Sequence, residues 1–330
     1  MRLVIFILLL NVVSFTSYSN DTLKILFIGN SFTFMNDMPD MFKGIAKAKN
    51  KAVYVERIAY GGKSWEFHST NPDTYKAINR HKWDYVVLQE LSNNPAQPES
   101  KVDRISLPYA KQLSDSIRAN YECTQLILYM TWGYKNGNSQ WKEIGTYDQM
   151  QERIHQTYFR FSDVLNAQIA PVGEVWKQVR KNYPGLDLYD PDNFHPNRLG
   201  SYLVAATFFA TIFGESPYGV SYTGKTDVYS AEIVQLIASQ VVLNNPNSWR
   251  IIYNTSPLRT GFDVIIKGDK VRFENRAENA VTVEWDFGNG VVSRELNPEI
   301  RYTKKGKYTV RQTVSGGCEQ KVLERVIHIE

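Results

Sequence analysis

Short apolar runs rich in β-branched residues alternate with longer stretches of helical period through the first two thirds of the chain. Five runs predict strands, at residues 23–28, 52–58, 85–88, 126–130 and 168–171. Apolar residues three and four positions apart predict helices, at residues 38–49, 107–120, 147–165, 172–183, 198–213 and 229–243. This alternation is typical of an α/β fold, in which a parallel sheet is covered by helices on both faces. Ligands bind such sheets at the carboxyl ends of the strands, so the residues that follow each strand are the first candidates for a functional site.

The pattern changes after Asn244. The sequence Asn-Pro-Asn-Ser at 245–248 favours a turn, and from Phe262 onward apolar and polar residues alternate with period two between Gly-rich turns. Such alternation predicts a small antiparallel β-sandwich. We therefore predict an α/β domain over residues 21–244, a linker over 245–261 and a β domain over 262–330.

The first twenty residues have the features of a secretory signal peptide. One arginine precedes a short apolar run, which gives way to serines and a threonine. The run is only about half of the roughly 20 residues needed to cross a bilayer, and no cysteine near the expected cleavage point offers a site for a lipid. The expectation is a secreted or periplasmic protein without membrane insertion after cleavage.

Composition excludes several classes of function. The chain has 330 residues and a net charge of +4, without a long run of like charges, so nucleic acid is not expected as a partner. Two cysteines, Cys123 and Cys318, cannot build a disulfide framework or a cysteine-rich metal site. The histidines show no metal-ligand spacing, and we expect neither a metal nor an organic cofactor.

Two segments carry residues suited to nucleophilic catalysis. Ser31 follows the first predicted strand, in Gly-Asn-Ser-Phe-Thr at 29–33, where a strand-to-helix turn exposes its hydroxyl and leaves backbone N–H groups free for an oxyanion. Its alternative role is a helix cap. Asp192 and His195 stand three residues apart before a predicted helix, so the carboxylate can orient the imidazole while its other nitrogen takes a proton from serine.

These segments resemble the blocks of the SGNH hydrolase superfamily, also called GDSL-type esterases. The likeness rests on Gly29-Asn30-Ser31 and on Asp192-x-x-His195-Pro196 with Gly200, and is greatest to secreted bacterial members of the Gly-Asn-Ser-Phe-Thr type. It implies a flavodoxin-like three-layer α/β/α fold and a Ser31, His195, Asp192 triad. Asn30 replaces the aspartate of the better-known motif, at a position that supports the turn.

The same resemblance implies an oxyanion hole. The Ser31 and Gly62 backbone N–H groups and the Asn93 side-chain amide match the family's donors, and Gly61 is an alternative to Gly62. The glycine of the family's Gly-x-Asn-Asp block is absent after the third strand. Gln89 and Asn94 therefore stay open as alternatives to Asn93.

The β segment resembles a PKD domain. The likeness rests on Trp-Asp-Phe-Gly-Asn-Gly at 285–290 and on the later Gly-Lys-Tyr-Thr-Val strand at 306–310. Trp285 and Phe287 are expected in the sandwich core, with the Gly-Asn-Gly turn reversing the chain. The resemblance implies a spacer or a module that contacts glycans.

Together these features predict a secreted serine esterase that removes acyl groups, above all acetyl, from a poly- or oligosaccharide. Aromatic residues after the strands are candidates for a rim that stacks on sugar: Trp65, Trp132, Tyr134 and Trp141. One alternative is an esterase of acyl lipids, and another is a catalytically silent carbohydrate-binding protein. Glu90 and Glu174 as paired glycosidase acids are disfavoured, because nothing in the sequence fixes their separation.

Overall fold

The computed structural model describes residues 22–253 and 258–330. The chain divides into two compact units, the first ending at Ile252 and the second starting at Tyr253. The predicted signal peptide lies outside the described residues. Among those residues, no helix has both the length and the hydropathy to cross a membrane.

A five-stranded parallel sheet forms the centre of the first unit. Its strands are β1 (Leu23–Gly29), β2 (Val53–Ala59), β3 (Tyr85–Leu88), β4 (Gln125–Tyr129) and β5 (Gln168–Ala170), in the order β2-β1-β3-β4-β5. This is the flavodoxin-like order. Successive strands are first added on one side of β1 and then, from β3 onward, on its other side, and all of them stay parallel. The predicted fold class and all five predicted strands are confirmed.

Ten α-helices are described in the first unit: α1 (Ser31–Phe34), α2 (Met38–Ala48), α3 (Trp65–Thr70), α4 (Pro72–Arg80), α5 (Glu99–Ile105), α6 (Leu107–Asn120), α7 (Tyr147–Leu165), α8 (Val172–Asn182), α9 (Arg198–Phe213) and α10 (Val228–Leu243). The six predicted helices are all present. Those missed, α1, α3, α4 and α5, have at most nine residues. A segment that short contains too few turns for its period to be read.

The core beside the sheet centres on α9. This helix packs against α2, α8 and α10, and its residues from Gly200 to Ile212 are all buried. Asn197 begins the helix by accepting a hydrogen bond from Gly200 N at 3.0 Å. The start of α9 is therefore fixed directly behind the segment that carries His195.

Residues 245–252 belong to the first unit, so the structured part extends beyond the predicted boundary at 244. A 3₁₀ turn, Pro246–Trp249, places Trp249 in a buried position, where its Nε1 donates to Val241 O at 2.8 Å.

Neither cysteine is a free thiol among the described residues.

The second unit consists of two antiparallel sheets. Their strands are β6 (Phe262–Lys267), β7 (Lys270–Asn275), β8 (Thr282–Asp286), β9 (Val292–Ser293), β10 (Glu299–Arg301), β11 (Gly306–Gly316) and β12 (Glu319–Ile329). One sheet has the order β10-β7-β6 and the other has the order β12-β11-β8-β9. Trp285 and Phe287 are both 0% exposed in its core, and Gly288 and Gly290 adopt positive φ of 71° and 86° in the turn that follows. The predicted β-sandwich and its core residues are confirmed.

Candidate active site

Ser31 lies on a tight strand-to-helix turn at the carboxyl end of β1. We call residues 29–34 the nucleophile turn. Asn30 caps α1, since its Oδ1 accepts from Phe32 N at 3.2 Å. A Cβ on Gly29 would lie 2.4 Å from Thr33 Oγ1 and 2.5 Å from the Gln89 side chain, so no larger residue fits there. The turn leaves the Ser31 side chain half-buried.

The structure brings together the three residues assigned to the triad. Ser31 Oγ lies 2.8 Å from His195 Nε2, and His195 Nδ1 lies 2.6 Å from Asp192 Oδ2. Because the carboxylate accepts from Nδ1–H, Nε2 is left as the acceptor for the serine hydroxyl. This is the geometry that a serine nucleophile and its general base require.

Asp192 is held in its ionised form although part of it is withdrawn from water. Burial alone would raise its pKa, but hydrogen bonds from the His195 ring and from the backbone N–H groups of Phe194 and His195 outweigh that effect and lower it. The two backbone bonds reach Oδ1 at 3.0 and 2.9 Å, so Oδ2 alone faces the imidazole. The neighbouring Asp190 has a raised pKa, because of burial and of the Asp192 charge.

The loop after β2 presents two exposed glycines. Gly62 has φ of +67°, with open space within 4 Å of the point where a side chain would begin, and Gly61 is also exposed. Asn30 Nδ2 donates to Lys63 O at 2.9 Å and ties this loop to the nucleophile turn. An ionised aspartate at position 30 has no hydrogen to donate, so the amide supplies a link that the better-known motif cannot make.

The loop after β3 separates the three candidates for the side-chain oxyanion donor. Gln89 is buried, its Oε1 accepts from Asn30 N at 2.8 Å and from Thr33 Oγ1 at 3.0 Å, and its Nε2 donates to Glu90 O. It holds the nucleophile turn, so the Gln89 alternative is excluded. Asn94 Nδ2 is directed to Glu90 Oε1 at 3.3 Å. Asn93 is half-buried, and its side chain has no hydrogen-bond partner among the described residues.

Glu90 connects the loops that follow β2 and β3. Its Oε1 accepts from Trp65 N at 3.2 Å, from Leu91 N at 2.6 Å and from Asn94. Burial raises the pKa of this carboxyl to about 7, against the opposing effect of the hydrogen bonds it accepts. Glu174 instead bonds to Gln178 at 2.9 Å within α8. Glu90 and Glu174 thus each bond to different neighbours and do not form a pair with each other in the described structure.

The prediction of a sugar-stacking rim is wrong for two of its four residues. Trp65 and Trp132 are both 0% exposed, so neither ring can reach a sugar. Apolar strand ends draw large aromatic rings into the core, and sequence alone cannot separate that use from a surface one. Tyr134 and Trp141 are half-buried and keep part of their rings in solvent. Tyr134 lies 5.4 Å from the Phe194 ring, next to His195.

Trp132 has a different place in the site. Its ring stacks between Phe32 at 4.5 Å and Trp176 at 4.0 Å. Its Nε1 donates to Phe194 O at 3.1 Å, one residue before His195. The residue therefore connects the nucleophile turn to the segment that carries the histidine.

His68 holds the first residue of the nucleophile turn, and it was not predicted from the sequence as a site residue. Its Nε2 donates to Gly29 O at 2.8 Å, and its Nδ1 lies 3.0 Å from Thr74 Oγ1. Burial lowers the pKa of this imidazole and so favours the neutral ring, although the hydrogen bond to Gly29 acts in the opposite direction. No local motif marks this histidine, because its partners come from β1 and α4.

The first unit thus has the three-layer α/β/α fold of SGNH hydrolases, with serine, histidine and aspartate hydrogen-bonded at the carboxyl end of the sheet. The chain belongs to the family described as "Domain of unknown function (DUF4886)", whose model matches residues 70–241. A PKD domain model matches residues 255–329. The resemblances to SGNH hydrolases and to PKD domains are confirmed.

Solved structures similar to this chain include a DUF4886 family protein from Bacteroides uniformis, 21% identical, with a TM-score of 0.59 over 68% of this chain and 95% of that one. A candidate SGNH hydrolase from Slackia heliotrinireducens is 28% identical, with a TM-score of 0.47 over 57% and 98%. An acetyl xylan esterase from Geobacillus stearothermophilus is 17% identical, with a TM-score of 0.42 over 56% and 92%. A search among curated proteins gives no match.

Proposed function

We propose that this chain is a serine esterase that removes short acyl groups, above all acetyl, from carbohydrate. The observation that carries the proposal is the continuous hydrogen-bonded series from Ser31 through His195 to Asp192. Each atom lies at the distance and in the order that acyl transfer through a serine requires. The half-buried setting of Ser31 and His195 leaves the reacting atoms accessible from solvent.

In the proposed reaction Ser31 Oγ attacks the ester carbonyl while His195 Nε2 takes its proton. The tetrahedral intermediate collapses when His195 returns that proton to the leaving alcohol oxygen, which leaves an acyl group on Ser31. Water then attacks the acyl-enzyme with His195 Nε2 again taking its proton, and His195 returns that proton to Ser31 Oγ as the carboxylic acid departs. Asp192 orients the ring and stabilises the imidazolium in both steps.

The negative charge of each tetrahedral intermediate needs donors that are already in place. The backbone N–H groups of Ser31 and of Gly62 have no acceptor among the described residues, and neither does the amide of Asn93. Gly61 N is equally free within that same part of the chain, so it stays an alternative to Gly62. Donors arranged before reaction stabilise an oxyanion without reorganisation, and each is worth about 10²- to 10³-fold in rate.

A short acyl group is favoured by the surface near Ser31. In the part of the chain that the structure describes, the large exposed apolar side chains lie elsewhere, on β2, on α7, between residues 218 and 252 and in the second unit. A long acyl chain would need an apolar trough in the loops after the strands. The aromatic residues that keep exposed ring surface there, Tyr134 and Trp141, suit the apolar face of a sugar instead. The PKD unit is proposed as a spacer or a glycan contact, without a part in catalysis.

Hydrolysis of aryl esters of increasing acyl length tests this proposal. We expect highest kcat/KM with acetate, a decline beyond butyrate, and acetate release from one or more members of a panel of acetylated polysaccharides. Activity that rises with acyl length beyond butyrate would favour the acyl-lipid alternative. Binding to glycans with no hydrolysis of any ester would favour a silent carbohydrate-binding protein.

A further inference from the structure

His195 lies on a loop whose two flanking carbonyls are each bound by a side chain from elsewhere in the fold. We call residues 190–197 the histidine loop. Trp132 Nε1 donates to Phe194 O at 3.1 Å on one side of His195, and Asn36 Nδ2 donates to Pro196 O at 3.0 Å on the other. These two donors come from segments 62 and 160 residues away.

The backbone conformation and the amide group of Asn36 both suit this contact. Its backbone is left-handed, with φ of 54° and ψ of 21°, which asparagine tolerates better than most residues. The same Nδ2 also donates to Ser201 Oγ at 3.0 Å, so both amide hydrogens are used. Asn36 thereby links the segment that follows the nucleophile turn to the histidine loop and to α9.

The histidine loop needs such anchors because its outer part, residues 191–193, is exposed and the rest, apart from Pro196, is only half-buried. Its own hydrogen bonds, Asp190 N to His195 O at 2.9 Å and Asn193 N to Asp190 O at 2.9 Å, set the shape of the turn but not its position relative to Ser31. Asn36 follows Ser31 by five residues. Trp132 stacks on Phe32, which is the residue directly after Ser31. Both donors therefore set the loop against the nucleophile turn itself.

We propose that Asn36 and Trp132 are positioning residues that hold His195 at reacting distance from Ser31, a role that rests on the esterase function proposed above. In the described structure, neither side chain hydrogen-bonds directly to Ser31, His195 or Asp192. Their effect passes through the carbonyls on either side of the histidine. A base displaced by about 1 Å loses on the order of 10²-fold in rate, so loss of either donor lowers kcat with little change in KM.

Asn36→Asp tests the amide donor with almost no change in shape. The carboxylate keeps the size of the side chain but has no hydrogen for Pro196 O or for the Ser201 hydroxyl. We expect kcat for aryl acetate to fall about 10- to 100-fold, with KM within about twofold of wild type. Asn36→Gly accepts the left-handed backbone without strain, so an equal loss there assigns the effect to the missing amide.

The leaving group provides a readout that a purely structural role would not change. A displaced His195 protonates the leaving alcohol poorly, which matters more for an alkyl acetate than for a nitrophenyl acetate. The Asn36→Asp deficit is therefore expected to be several-fold larger with the alkyl ester. Trp132→Phe keeps an aromatic ring in the stack but removes the Nε1 donor together with part of the buried ring, so it is compared only as a folded variant. It should show the same dependence on leaving group.

Asn166→Asp is the matched control. Asn166 is also left-handed, with φ of 46°, but it is exposed at the end of α7, and its variant should keep wild-type kinetics. Folded Asn36→Asp and Trp132→Phe variants with wild-type kcat on both esters, or equal deficits on both esters, would overturn the positioning role. A wild-type protein inactive on every ester would instead remove the proposed function.

Discussion

The nucleophile turn and the histidine loop reach one site by opposite means. Gly29, Asn30 and Thr33 are held from within the core, by the buried side chains of Gln89 and His68. The Asp192 side chain is 39% exposed and that of His195 22%, and two side chains from elsewhere in the fold hold their loop at Phe194 O and Pro196 O. Buried bonds make the first region part of the folding core, whereas the second can shift without unfolding the protein. Substitutions near the two regions should therefore have different consequences.

The largest expected effect is at Asp192, in the exposed region. Asp192→Asn removes the charge that supports the imidazolium and places a hydrogen-bond donor where the carboxylate accepts from Nδ1. We expect kcat to fall roughly 10⁴-fold while KM and the unfolding midpoint change little. Steady-state kinetics on aryl acetate and thermal unfolding measure the two quantities. A loss of less than about tenfold would mean that the Ser31–His195 pair acts without Asp192.

The second effect concerns pH and the buried Glu90. Burial raises its pKa in the folded protein from 4.5 to about 7, so between these values the folded protein binds more protons than the unfolded chain. Its contribution to stability falls as pH rises from 4.5 to 7 and is constant above that. A pKa raised from 4.5 to about 7 corresponds to about 3 kcal/mol of folding free energy.

Glu90→Gln keeps an oxygen acceptor for Trp65 N and Leu91 N but cannot ionise. We expect its unfolding free energy in urea to lose about 3 kcal/mol less than that of wild type between pH 4.5 and 7. Glu174→Gln removes the same formal charge from α8 and should follow the wild-type pH dependence. If Glu90→Gln also follows the wild type, the carboxyl does not titrate as the buried geometry implies.

The smallest expected effect is at Gln89, in the buried region. Gln89→Ala leaves the Asn30 N–H and the Thr33 hydroxyl without their acceptor, which costs about 1 to 3 kcal/mol of folding free energy. Gln156→Ala, which loses only an exposed bond to Glu152, should change stability by less than about 0.5 kcal/mol. The comparison between the two regions fails if Gln89→Ala is no less stable than Asn36→Asp.

The sequence predicts the residues that carry the chemistry better than those that position them. Ser31, Asp192 and His195 belong to short motifs. The strands of the sheet could also be predicted, because buried parallel strands are continuous apolar runs. Asn36, Trp132 and His68 act on carbonyls 39 to 160 residues away, so no local pattern marks them. The tryptophans show the converse error. Trp65 and Trp132 follow strands as a binding rim would, yet the ends of this sheet pack them inside.

Covalent labelling of Ser31 tests the central claim most directly. An organophosphonate ester that reacts with activated serines should modify one residue per molecule, located by mass spectrometry at Ser31, and abolish aryl acetate hydrolysis. Ser31→Ala should take up no label and lose roughly 10⁶-fold in kcat, and His195→Ala should label far more slowly than wild type. Modification at another serine, or aryl acetate hydrolysis by Ser31→Ala at the wild-type rate, would contradict the account.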